Sequence, residues 1–115
     1  MVITTEGLNT AAEKMAALIT VGQWGTGTSN PSITDTALET PVAATSLALS
    51  STVVGNTIQF THIVNTSTGN GNVLTEYELS YATGENFNRS VGGAINKDSS
   101  VSLTTISQIT MLRGN

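Results

Sequence analysis

The hydrophobic pattern of this chain changes period once, and that change limits the fold more than any other feature. Before residue 20 the apolar residues recur every three to four positions. Leu8, Ala12, Met15 and Ile19 fall on one stripe, flanked by Ala11 and Leu18, with Glu13 and Lys14 facing away. That spacing predicts an amphipathic helix over Thr5 to Ile19. Past Pro41 the period becomes two. Ile58, Phe60, His62 and Val64 share one face of a strand, opposite Gln59, Thr61 and Ile63. One helix followed by about five short strands predicts a mainly β fold, an antiparallel β-sandwich or partly open, jelly-roll-like barrel.

The helix has two candidate starts. Thr4 or Thr5 would begin it early, whereas Thr10 followed by Glu13 has capping-box spacing. Gly22 lies where a C-terminal stop is expected. From there Gly22, Gly25, Gly27, Asn30, Pro31 and Pro41 punctuate the chain, which predicts a long extended loop or arm over 22–41. Trp24 at its start is expected to anchor by packing, its indole N–H on a local acceptor. The expected organisation is one domain over 1–115. Residues 1–40 form the helix and arm, and 41–115 form the sandwich. Deleting 1–40 is expected to harm assembly more than folding, unless the helix completes the domain core, in which case the truncated chain should unfold.

Within the β region, Leu47 and Leu49 alternate with Ser46 and Ala48, Val53 and Val54 follow, and Gly55-Asn56 is a turn signal. Asn65 to Asn72 reads as a flexible, turn-rich loop. On the next strand Val73, Thr75, Tyr77, Leu79 and Tyr81 are expected inward, and Glu76, Glu78 and Ser80 outward. A turn at Thr83-Gly84-Glu85 precedes Phe87, Arg89 and Val91, and Gly92-Gly93 breaks the pattern. Over Val101 to Leu112, Ile106 is out of phase with Val101, Leu103, Ile109 and Met111. A bulge near Thr104-Thr105 or burial on both faces would explain it.

Composition narrows the function. Threonine, serine and asparagine number 20, 12 and 10, whereas charged residues are 10 % of the chain. Neutral hydroxyls and amides suit a β-surface that packs against other protein, where charge would be costly to bury. The net charge is −4, and Lys14, Arg89, Lys97 and Arg113 are scattered. Nucleic-acid binding needs clustered cations, so no nucleic-acid partner is expected. The absence of cysteine excludes disulfides, thiol catalysis and cysteine zinc sites. No apolar run has the length of a membrane span, and Met1 to Thr10 lacks the features of a signal peptide, so no membrane partner is expected.

Catalytic signals are weak. Glu76 and Glu78 would lie roughly 7 Å apart on one strand face, a separation that a glycosidase pair can have, but a solvated acidic face explains them equally well. His62, the single histidine, falls on an apolar face, where a hydrogen-bonded core histidine is the usual outcome. The Gly22 to Thr28 loop lacks the lysine of a phosphate-binding loop and follows a helix instead of preceding one. Asn65-Thr66-Ser67 and Asn88-Arg89-Ser90 fit the glycosylation pattern but read as chance matches in so Asn/Ser/Thr-rich a chain. No catalytic residue, cofactor or metal site is assigned.

Four pieces in order carry a resemblance. Ile3-Thr-Thr-Glu-Gly-Leu8 leads into the alanine-rich helix. Gly25-Thr-Gly-Thr28 is followed by Asp35-Thr-Ala-Leu-Glu39. Leu74-Thr-Glu76 opens a strand, with Gly84 and Asn88-Arg89 after it. Ile95-Asn-Lys97-Asp-Ser99 precedes the last strand. This resembles the module shared by tail-fibre, collar and related virion structural proteins of tailed phages. The resemblance implies a non-enzymatic structural protein, made in the host cytoplasm and residing in the virion. It would self-assemble as a trimer, hexamer or ring and dock on a tail, neck/collar or capsid component. It also implies structural roles for the 25–39 loop, Glu76, Arg89 and Lys97. Little chain follows Met111 to form a shaft or receptor-binding tip, which favours a connecting, collar or decorating role. Leu8, Met15, Ile19, Trp24, Gly25, Gly27, Asp35 and Leu38 are the expected assembly residues. The alternative is a free-standing carbohydrate- or ligand-binding β-sandwich, against which stands the low aromatic content of 4 %.

Overall fold

The computed structural model describes residues 1–114. Helix α1 spans Thr5–Leu18, and Thr4 is its N-cap, accepting the Gly7 N–H on its hydroxyl at 3.0 Å. Of the two candidate starts, the early one is therefore used. Glu6 in the first turn suits the positive end of the helix dipole. Leu8 and Ala12 face the core.

The helix ends without a loop. Ile19 is at once its extended C-cap and the first residue of strand β1, Ile19–Gly25. This corrects the expected stop at Gly22 and shortens the expected arm. Gly22 to Gly25 lie in a strand with hydrogen-bonded neighbours on both sides. The irregular segment runs over 26–40, and the chain rejoins β1 through a Gly25–Pro41 bridge. A short 3₁₀ turn at Ala43–Thr45 then leads to β2 (Leu47–Ala48).

Two antiparallel sheets face each other as a sandwich. The larger has the order β2-β1-β5-β6, with β5 at Asn72–Tyr81 and β6 at Asn86–Lys97. The smaller has the order β3-β4-β7, formed by Ser50–Val54, Thr57–Val64 and Leu103–Thr110. Only Leu49 separates β2 from β3, so the chain changes sheets across one residue. Helix α1 packs on β3, β4 and β1. The core between the layers is Ala12, Ile19, Ile58, Phe60, Tyr77 and Leu79. Because helix and β1 both feed that core, residues 1–40 are not a detachable arm, and their deletion would unfold the sandwich.

The inward face of β4 is Ile58, Phe60, His62 and Val64, all buried, as the period of two predicts. Its hairpin with β3 turns at Gly55, whose φ of +59° suits glycine. Strand β7 pairs with β4 in unbroken register from Thr57–Thr110 to Val64–Leu103. Neither explanation offered for Ile106 holds. There is no bulge, and Ile106 is 61 % exposed on the outer face. The bulge lies instead in β6, which continues through Gly92-Gly93. Leu74 pairs with Ile95 and Glu76 with Val91, so residues 92–94 oppose Thr75 alone.

Candidate functional site

Alternation places Glu76 and Glu78 on the face of β5 that turns away from the core. That face was expected to meet water. It does not: Glu76 is fully buried and Glu78 is 8 % exposed. The cover over Glu76 is the 26–40 loop.

Glu76 holds that loop in place. One carboxylate oxygen accepts the backbone N–H groups of Gly27 at 2.6 Å and Thr40 at 2.8 Å. The other accepts the Glu39 N–H at 2.8 Å and the Arg89 Nε–H at 2.9 Å. A carboxylate has about four lone-pair directions, and here each is used. Arg89, whose side chain is 3 % exposed, extends the network outward. It pairs with Asp35 at 3.1 Å and donates to the Ser29 carbonyl at 3.0 Å. Thr75 adds a hydroxyl bond to the Gly27 carbonyl at 2.7 Å. The glycines make the close approach possible. A Cβ on Gly25 would lie 2.6 Å from the Glu76 carboxylate and from the Thr40 carbonyl, and one on Gly27 would collide with the same carboxylate.

The two glutamates titrate in opposite senses. Burial works to raise the Glu76 carboxyl. The Thr40 N–H, the Arg89 guanidinium and the N–H groups of Glu39 and Gly27 outweigh it and hold the group below its ordinary value. Burial also raises Glu78, opposed by the bond from the Asn86 amide at 2.5 Å. The neighbouring Glu76 charge pushes it further up. With every lone-pair direction occupied, Glu76 works as a clamp on the backbone of the loop.

A second polar cluster sits between the sheets. His62 is buried in the core as the sequence predicts, with Nε2 3.0 Å from the Thr45 carbonyl and only that ring nitrogen bonded. Burial lowers its pKa against the raising effect of that carbonyl. The ring centroid of Tyr77 lies 5.4 Å from His62 and 4.8 Å from Trp24. Burial pushes the Tyr77 phenol well above its ordinary value. His62 Nδ1, Tyr77 Oη, Trp24 Nε1 and the hydroxyl of Thr105, the residue opposite His62, all lack hydrogen-bond partners. The expected local acceptor for the indole is therefore not found. An open recess of about 260 Å³ beside Trp24 and Tyr77 is floored by Gly92 and Gly93. Lys97 is buried separately, with Nζ on Asn70 at 2.6 Å and on the Asp98 carbonyl at 3.1 Å, which pins the 65–72 loop.

The expected assembly residues divide into two groups. Leu8 and Ile19 are buried and Met15 half-buried beneath the helix, and Trp24 is half-buried beside Tyr77. Gly25, Gly27 and Asp35 converge around Glu76 and Arg89, with Leu38 buried in the same loop. Most of these side chains serve the protomer's own packing. Sequence reasoning missed the Glu76–Arg89 contact. Its signal was the coincidence of an arginine with an acidic strand in a chain so poor in charge. Among the described residues no three His, Asp or Glu side chains cluster as metal ligands, and no helix is long and apolar enough to cross a membrane. Compared with known proteins, the chain matches no family model, no curated sequence and no solved structure.

Proposed function

We propose that this chain is a non-enzymatic structural protein of a tailed-virus particle, one that self-assembles and docks on a tail, neck/collar or capsid component. The observation that supports the reading is the convergence of its motifs. Gly27, Asp35 and Glu39 come from one loop, Glu76 and Arg89 from two strands, and all five meet in one network, against which Gly25 at the end of β1 packs closely. Those are the residues that carry the resemblance to tail-fibre and collar modules. Their common task here is to stiffen a long loop against a sheet, and a stiff loop suits repeated contacts in a particle. Loops of this length without secondary structure are uncommon in compact domains unless they serve a purpose of this kind.

Mass spectrometry of purified particles from the source should find the chain at a stoichiometric copy number. Its absence from them would sink the reading. The carbohydrate-binding alternative draws on the recess beside Trp24 and Tyr77, and glycan-array binding by the isolated chain would promote it.

A further inference from the structure

Every open sheet ends in two edges, and each edge exposes backbone N–H and C=O groups ready to pair with another strand. Proteins guard such edges by keeping them short, bulged, charged or covered. Three of the four edges here are guarded. Strand β2 is two residues long. Strand β3 has five residues and lies against α1. Strand β6 is long, but it is bulged at 92–94 and carries Arg89 and Lys97. Strand β7 has none of these protections. Its eight residues, LTTISQIT, run in unbroken register and contain no proline and no charge.

The whole three-stranded sheet shares that neutrality. The 8 acidic and 4 basic residues of the chain all lie outside β3, β4 and β7. On its outer face Val54, Ile63 and Ile106 are 74 %, 56 % and 61 % exposed. The inward side chains of β7, Leu103, Thr105, Ser107 and Ile109, are only half-buried, because no strand lies beyond them.

We infer that β7 pairs antiparallel with β7 of a second copy across a two-fold axis, joining two three-stranded sheets into one of six strands. The charge pattern selects the occupant. A two-fold contact sets a surface against its own image, so any charge near the axis meets a like charge. With a net charge of −4 two copies repel, and this sheet is the surface that can meet itself without adding to that repulsion. A partner of different sequence is selected through complementary charge, which this edge does not offer. The inference rests on the self-assembly reading above and narrows it. A dihedral hexamer contains such two-fold contacts, whereas a trimer or a simple ring does not.

The test is the solution mass of the full chain by light scattering across a concentration series, alongside amide exchange. The expected mass is an even multiple of 11.9 kDa, with slow exchange along Leu103–Thr110. Ile106→Lys places a charge on the exposed face of the edge strand. It should break the two-fold contact, taking a dimer to one copy and a dihedral hexamer to trimers, and speed β7 exchange while leaving β4 amides and the circular dichroism unchanged. Gln108→Lys repeats the test at a second exposed position, and Ala17→Lys, on the exposed face of α1, should leave the assembly intact. A mass unchanged by both β7 variants would overturn the inference while leaving self-assembly in place through another face. A wild-type chain that stays monomeric throughout would overturn the inference and remove self-assembly from the proposed function as well.

Discussion

On the four-stranded sheet the outer face of β5 carries two glutamates, and the chain lays the 26–40 loop over Glu76. On the three-stranded sheet the outer face carries threonine, glutamine, isoleucine and valine, and Val54, Ile63 and Ile106 on it are left exposed among the described residues. The contrast follows from what each surface needs. A buried carboxylate is tolerable only when its lone pairs are satisfied, so Glu76 requires Gly27, Glu39, Thr40 and Arg89 to be held in place. A neutral β-face has no such demand, and it can be covered later by other protein without stripping water from ions. The first surface is completed within the chain, and the second is left open.

The largest effect should come from the clamp. Glu76→Ala strands three backbone N–H groups and the Arg89 guanidinium, and should lower stability by roughly 3–5 kcal/mol. Urea unfolding would measure it, with limited proteolysis locating new cleavage in 26–40. A loss under about 1 kcal/mol would mean that the loop is held by something else, and the contrast between the sheets would collapse. Gly27→Ala should follow at about 1–3 kcal/mol, the usual cost of overpacking. Gly93→Ala, where an added Cβ meets nothing within 4 Å, should stay within about 0.5 kcal/mol.

Acid titration sharpens the difference between the two carboxylates. Glu76 is depressed when folded, so its contribution is full above the ordinary carboxyl value of 4.5 and is lost as pH falls through the folded value. Glu78 is raised when folded, so its ionised form is penalised at neutral pH, and the penalty is relieved as pH falls through the raised value. Glu76→Gln should therefore lower stability at pH 7 and flatten the acid limb below pH 4.5. Glu78→Gln should raise stability modestly at pH 7. Melting curves between pH 3 and 7 would show both, and equal signs for the two variants would contradict the assigned environments. The smallest effect belongs to the bare face. Ile63→Thr, measured at high dilution, should change stability by less than about 0.5 kcal/mol.

The sandwich, the inward face of β4, the turn at Gly55 and the loop at 65–72 were legible because each depends on local alternation or turn chemistry. Strand β1 was not. Its Ile19-Thr20-Val21 run has strand character, but Gly22 and Gly25 read as punctuation. In the fold they mark close approach instead. A Cβ at Gly22 would collide with the Tyr77 hydroxyl, and one at Gly25 with Glu76. Glu76 and Glu78 were assigned to water because alternation says which residues share a face, not whether a distant segment covers it. Ile106 looked anomalous only because an exposed isoleucine was not expected. The clamp itself ties the 26–40 loop to residues 36 to 60 positions away, beyond the reach of any local pattern.

That separation also sets an order of events. The 26–40 loop leaves the ribosome well before the residues that fasten it, since Gly27 waits for Glu76 and Ser29 for Arg89, 49 and 60 positions later. Contacts of such span form slowly, because loop closure must come before any gain. The helix and β3–β4 hairpin can gather first, with the loop still loose and β1 lacking its β5 neighbour. Final setting of the loop would then wait on the arrival of a single arginine, with only the pairing of β7 left to follow.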